Sequence, residues 1–82
     1  MSLNELAVPE RAVGEKEVLR AMRRGALRKL FVAMDADPAR LASLLREAEA
    51  AGVEVERAES RVILGRACAI DRSAMAAGLL KR

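Results

Sequence analysis

Apolar and polar positions along this chain alternate with two different periods, and the switches between them outline the elements. "ERAV", Glu10 to Val13, reads as a short strand ending at Gly14. Glu15 to Arg24 follows a helical period. At about 100° per residue, Arg20, Arg23 and Arg24 fall within roughly 80° of Lys16. The apolar Val18, Leu19, Ala21 and Met22 are expected to form the opposite side. Gly25 suits the left-handed residue that closes such a helix. "LRKLFVAM", Leu27 to Met34, carries an unbroken apolar run from Leu30 to Met34 bounded by turn residues, which predicts a buried central strand.

"DADPARLASLLREAEAAG" predicts the clearest helix. Asp37 is a good N-cap, Pro38 suits the first turn, Gly52 closes it, and Leu41, Leu44, Leu45 and Ala48 recur at helical spacing. "VEVER", from Val53, alternates strictly and reads as a strand with one wet face. Ser60 can cap a short helix through "RVILGRACA", and "SAMAAGLL" can form a last buried strand. Strands and helices thus alternate from a first strand to a last one, which predicts an α/β sandwich with a largely parallel or mixed sheet. No internal repeat or linker interrupts residues 1–82, so a single domain is expected.

Composition narrows the function. Of the 82 residues 52% are hydrophobic, enough for a core, and 33% are charged without any low-complexity run, which argues against disorder. No apolar run approaches the roughly 20 residues that cross a bilayer. "MSLNELAVPERA" lacks the basic and apolar regions of a signal peptide. A soluble, cytoplasmic chain with no membrane partner is expected. Cys68 is the only cysteine, which fits a reducing compartment, and there is no histidine. The commonest general base and the commonest metal ligand are therefore both missing. Neither catalysis nor a metal or other cofactor is expected.

The net charge of +3 is unevenly spread. Arg11 to Lys29 holds seven basic and two acidic residues, Leu30 to Ser60 three and seven, and Arg61 to the end five and one. If the fold gathers the two basic blocks, the molecule has one cationic side.

Few other features suggest chemistry. Asp35 and Asp37 in "DAD" lack a third ligand, and helix capping accounts for Asp37. Cys68 sits among small apolar residues and is expected to be buried packing. "LGRA" has neither the glycine spacing nor the Lys–Ser/Thr pair of a phosphate loop. The helix opening at Gly14 is different. Its first N–H groups and its dipole favour an anionic or acceptor-rich ligand, with Lys16 and Arg20 nearby. Glu17 would be out of place on a plain phosphate grip, but a carboxylate can accept from the amino and imino groups of bases. An intrahelical pair of Glu17 with Arg20 or Arg24 explains the same residues equally well. With no Trp or Tyr, and Phe31 in the apolar strand, stacking platforms for single strands are missing, which favours folded RNA over unpaired strands.

Three motifs in this order resemble the ribosomal protein L-seven-Ae family of kink-turn RNA binders, in particular its short bacterial members: "GEKEVLRAMRRG", "DADP" after the central strand, and "ESRVILGRACAIDRSA". The resemblance covers the chain from Arg11 onward. The family pattern of Gly, any residue, Asn or Lys, Glu or Gln, two residues, then Lys falls on Gly14, Glu15, Lys16, Glu17 and Arg20. It implies a three-layer α/β/α sandwich around a mixed four-stranded sheet, and a kink-turn ligand, a duplex bent at a bulge beside tandem sheared G·A pairs.

By the same resemblance Lys16, Glu17 and Arg20 would meet the G·A edges, and Arg24 would reach phosphate or base from the same face. The loop of Ala69, Ile70, Asp71 and Arg72, running on to Ser73, would cover the bulge, with Ile70 on the extruded nucleotide and Arg72 on its backbone. Many members carry Gly at Ala69, and Glu–Val where this chain has Asp71–Arg72. The implied partner is a structured RNA with a kink-turn, in ribosomal RNA or in an mRNA or riboswitch element, and with it the ribosome, bound by a monomer. The alternative is a protein–protein interaction or dimerisation module of the same fold, using the face of Leu41 to Glu49. A recruiting domain like the RNA-binding part of some RNA methyltransferases is a weaker third, since no linker or second domain is seen.

Overall fold

Strand and helix alternate in the computed structural model, which describes residues 3–81. A short 3-10 turn, Leu3–Leu6, precedes β1 (Arg11–Val13), α1 (Glu15–Arg23), β2 (Leu27–Ala33), α2 (Pro38–Ala51), β3 (Glu54–Ala58), α3 (Arg61–Ala67) and β4 (Ala76–Leu80). The sheet order is β1-β4-β2-β3. β4 pairs antiparallel with both β1 and β2, and β2 runs parallel to β3, so the sheet is mixed. Helices cover both faces, and the expected three-layer α/β/α sandwich is the one observed.

The two-residue period of β2 divides the core. Leu30 and Val32 join Val18, Ala21 and Met22 of α1 and Leu44 and Ala48 of α2 on one face of the sheet. Phe31 and Ala33 face the other way, onto Leu6, Leu64 and Cys68 under α3 and the N-terminal turn. Leu19, expected with the apolar side of α1, stands three residues from Lys16, only about 60° round the helix from it, and is partly buried at the margin of the first cluster. The apolar side of α2 is turned inward, since Leu44 and Ala48 are buried and Leu41 and Leu45 pack against the same cluster. That leaves Ala42, Ser43, Arg46 and Glu49 exposed.

Local capping works as the sequence suggests. The Asp37 carboxylate accepts from the Arg40 N–H at 3.1 Å, Pro38 opens α2, and Gly52 ends it in the left-handed region. The Ser60 hydroxyl accepts from the Ile63 N–H at 3.1 Å and starts α3. Asp35, the other half of "DAD", accepts from the Arg61 N–H at 2.8 Å and so ties the end of β2 to the start of α3.

Some boundaries differ. α1 ends at Arg23, with Arg24 as its cap, and Gly25 takes the left-handed conformation. Met34 is not the end of the buried strand: it lies one residue beyond β2 and is 49% exposed. β3 begins at Glu54 rather than Val53, α3 stops at Ala67, and β4 starts only at Ala76. The N-terminal turn, which buries Leu6 completely, lies outside the elements the pattern predicts.

Candidate nucleic-acid interface

The C-terminal ends of β1, β2 and β3 and the start of β4 share one edge of the sheet, as the pairings Val13–Ala77, Val32–Ala76 and Ala33–Ala58 require. α1, α2 and α3 each follow one of those strand ends, so all three begin there. In open α/β sheets this is the edge where ligands bind.

Gly14 makes the turn from β1 into α1. Its φ of 98° and ψ of 154° lie in a region that is essentially glycine's own, and it gives α1 no side-chain cap. Nothing lies within 4 Å of the place a Cβ would take. The backbone at the helix start is therefore open to close approach. The Gly14 N–H donates to the Ala76 carbonyl at 2.8 Å, which fastens this turn to the point where the loop after α3 enters β4.

Lys16, Arg20 and Arg24 follow at intervals of four, a row of about 12 Å along one side of the helix at 1.5 Å rise per residue. All three are exposed. Glu17 pairs with Arg20, Oε1 to Nη1 at 2.7 Å, with both side chains more than half exposed. Such an exposed pair is worth only about 0.3–0.5 kcal/mol, so either group can turn to a ligand at little cost. Glu15 is half-buried and faces Arg40 of α2 at 3.9 Å. Lys16 and Arg24 have no ion-pair partner among the described residues.

The second group lies beyond α3. Cys68 caps the helix, and Ala69 follows at φ 59°, a left-handed conformation unusual for a residue with a Cβ. The chain then returns along α3, held by the Ala74 N–H on the Arg61 carbonyl at 3.0 Å. This return needs Gly65, whose missing side chain leaves room for the Arg72 carbonyl oxygen. Ile70 is half-buried against the core cluster beneath α3, while Asp71 and Arg72 are exposed. Between loop and helix lies a hollow of about 270 Å³ lined by Val62, Arg66, Ile70, Asp71, Arg72 and Ser73. The two groups lie on opposite faces of the sheet, and the Gly14–Ala76 hydrogen bond joins them at its edge.

Charge counting alone overstated the cationic surface. Arg11 spends its guanidinium on the carbonyls of Leu6, Val8 and Cys68. Lys29 is buried, with its ammonium 2.8 Å from Glu5, 2.9 Å from Glu56 and 5.1 Å from the Phe31 ring centroid. The hydrogen bonds that its ammonium donates to Glu5 and Glu56 hold its pKa above the usual lysine value. Arg23 donates to both Glu47 oxygens, at 3.2 and 3.0 Å, and so clamps α1 to α2. Arg61 sits 3.6 Å from Asp35. Of the two basic blocks, Lys16, Arg24, Arg28, Arg66, Arg72 and Lys81 remain exposed and without an ion-pair partner among the described residues, and Arg82 lies outside them. Burial pushes the Cys68 thiol up in pKa, against the opposing charge of Arg11, as suits a packed thiol rather than a reactive one.

The family model of the ribosomal protein L7Ae/L30e/S12e/Gadd45 family matches residues 8–81, a span that takes in both groups. The chain belongs to that family. Its relatives include an RNA-binding protein of Bacillus pumilus (strain SAFR-032), 35% identical over 68 residues, 83% of each chain. Another is an RNA-binding protein of Geobacillus sp. (strain WCH70), 35% identical over 69 residues, 84% of each. Among solved structures, the 15.5kD RNA binding protein of Giardia lamblia superposes with a TM-score of 0.86 at 27% identity, over 98% of this chain and 68% of that one. A Bacillus halodurans protein gives 0.85 at 22% identity over 96% and 83%, and shares the L7Ae-family fold.

Proposed function

We propose that this protein is a non-catalytic, cytoplasmic RNA-binding protein that recognises kink-turns and acts as a single-domain monomer on ribosomal RNA or on an mRNA or riboswitch element, in association with the ribosome. The observation that carries the reading is the hydrogen bond from Gly14 to Ala76, which joins the start of α1 to the loop after α3 at one sheet edge. Membership of the L7Ae family and the RNA-binding names of its relatives support it.

In this reading the open backbone at Gly14 and Glu15 lets α1 enter the widened groove. Glu17 leaves its exposed pair with Arg20 and accepts from base edges, while Arg20 and Lys16 donate to the G·A pairs. Arg24 reaches the flanking backbone. Ala69, Ile70, Asp71 and Arg72 cover the bulge, with the exposed part of Ile70 against an extruded nucleotide and Arg72 on its phosphate. The protein binds the bent form of the RNA, and that binding energy offsets the cost of bending.

The test is to purify the protein with its RNA and sequence what accompanies it. Kink-turn-containing RNA should be enriched, and Glu17→Ala or Arg20→Ala should abolish the enrichment. Recovery of the same RNA by both variants would contradict the proposed site.

A further inference from the structure

The guanidinium of Arg11 is turned inward onto main-chain oxygens. Nη1 donates to the Leu6 carbonyl at 3.1 Å and to the Val8 carbonyl at 3.0 Å, and Nη2 donates to the Cys68 carbonyl at 2.8 Å, across 57 positions of sequence. Cys68 is the cap of α3, and the next residue is Ala69 at φ 59°. We infer that Arg11 is a positioning residue for RNA binding, setting the loop of Ala69 to Arg72 relative to the start of α1 without itself touching RNA. The inference rests on the RNA-binding reading given above.

The Cys68 carbonyl belongs to the peptide plane that joins Cys68 to Ala69, so an anchor on that oxygen fixes one side of the left-handed residue that aims the loop. Ala69 would otherwise gain by relaxing out of that conformation. A guanidinium suits the task, because its planar fork reaches several carbonyls at once and its charge strengthens each bond. The carbonyl end of a helix also favours a cation. Arg11 lies on β1, which runs directly through Val13 and Gly14 into α1. One three-residue strand therefore holds the α1 start by its backbone and the loop start by its side chain. The same guanidinium secures Leu6 and Val8, so the N-terminal turn braces the anchor from behind.

The full chain with Arg11→Gln, and separately with Arg11→Lys, tests this at a temperature where both stay folded by circular dichroism. Two readouts are needed: affinity for a kink-turn RNA, and amide hydrogen exchange along the chain. Arg11→Gln should weaken kink-turn binding about 5- to 10-fold and speed exchange about tenfold at Ala69 to Arg72, with α2 amides unchanged. Arg11→Lys, which keeps the charge but cannot span the carbonyls, should fall between it and the parent protein. Affinity within twofold of the parent with unchanged loop exchange would overturn the inference, as would exchange rising equally throughout the chain, the mark of a purely global effect. Failure of the unaltered protein to bind kink-turn RNA would overturn the underlying reading and the link to RNA, while the exchange data would still decide whether Arg11 orders the loop.

Discussion

The carbonyl oxygen of Arg72 occupies the space beside Gly65 that any side chain there would claim. Seven positions apart, these residues let the loop after α3 fold back along its own helix. The Ala74 N–H then reaches Arg61, and β4 starts beside Gly14. A glycine in the middle of a seven-residue helix is costly on propensity alone, so its presence in α3 is accounted for by this close approach.

Gly65→Ala should accordingly force the loop away from α3. Overpacking of this kind costs about 1–3 kcal/mol, and denaturant unfolding should show a loss in that range. The same variant should bind kink-turn RNA more weakly at temperatures where it remains folded.

Gly14→Ala separates conformation from space, because a Cβ there meets nothing within 4 Å while the backbone sits at φ 98°. The expected loss is about 1–3 kcal/mol from strain alone, read as a lowered thermal midpoint. Bound RNA should be lost beyond that, since the added methyl fills the open approach to α1.

Ala69→Gly should act the other way. Removing the Cβ from a left-handed residue relieves strain, offset in part by the freer unfolded chain, for a net gain of up to about 1 kcal/mol. Chemical denaturation would measure it.

The Arg23–Glu47 clamp should respond to acid. Hydrogen bonding from Arg23, helped by its charge, holds the Glu47 carboxyl below the usual glutamate pKa despite the opposing effect of desolvation. A depressed carboxylate pKa means that the stabilisation is present above the unfolded value and is lost as pH falls through the folded one. The stability difference between the parent protein and Arg23→Met should therefore shrink as pH drops below the ordinary glutamate range. An NMR titration should show the Glu47 pKa rising toward its ordinary value in the variant.

How much of this could be read from the sequence depended on how local the cause was. Asp37, Pro38, Gly52 and Ser60 act within one helical turn of where they stand, so their caps and the helices they bound were legible. Leu30 and Val32 against Phe31 give the two faces of a central strand for the same reason. Met34 was misread, because an apolar run does not record where the backbone leaves the sheet. Lys29 and Arg11 were misread as surface charge. Their burial or inward turn depends on Glu5 and Glu56 in one case and on the Cys68 carbonyl in the other, all distant in sequence. Gly65 carries no local sign of its role in "LGRA", since its need for space arises from a loop that returns seven residues later. Gly14, Lys16, Glu17 and Arg20 stand out by their place at a helix start, whereas Arg24 and the loop of Ala69 to Arg72 are marked only by the family motifs. The charge pattern alone could not separate base reading from the Glu17–Arg20 pair that the free protein in fact makes.

The most direct test of the central claim is a binding titration of the protein against a kink-turn RNA and against the same RNA with its tandem G·A pairs replaced by Watson–Crick pairs, at matched salt. The kink-turn should bind much more tightly, with affinity falling steeply as salt rises. Equal binding to both RNAs, or binding to neither, would contradict the account.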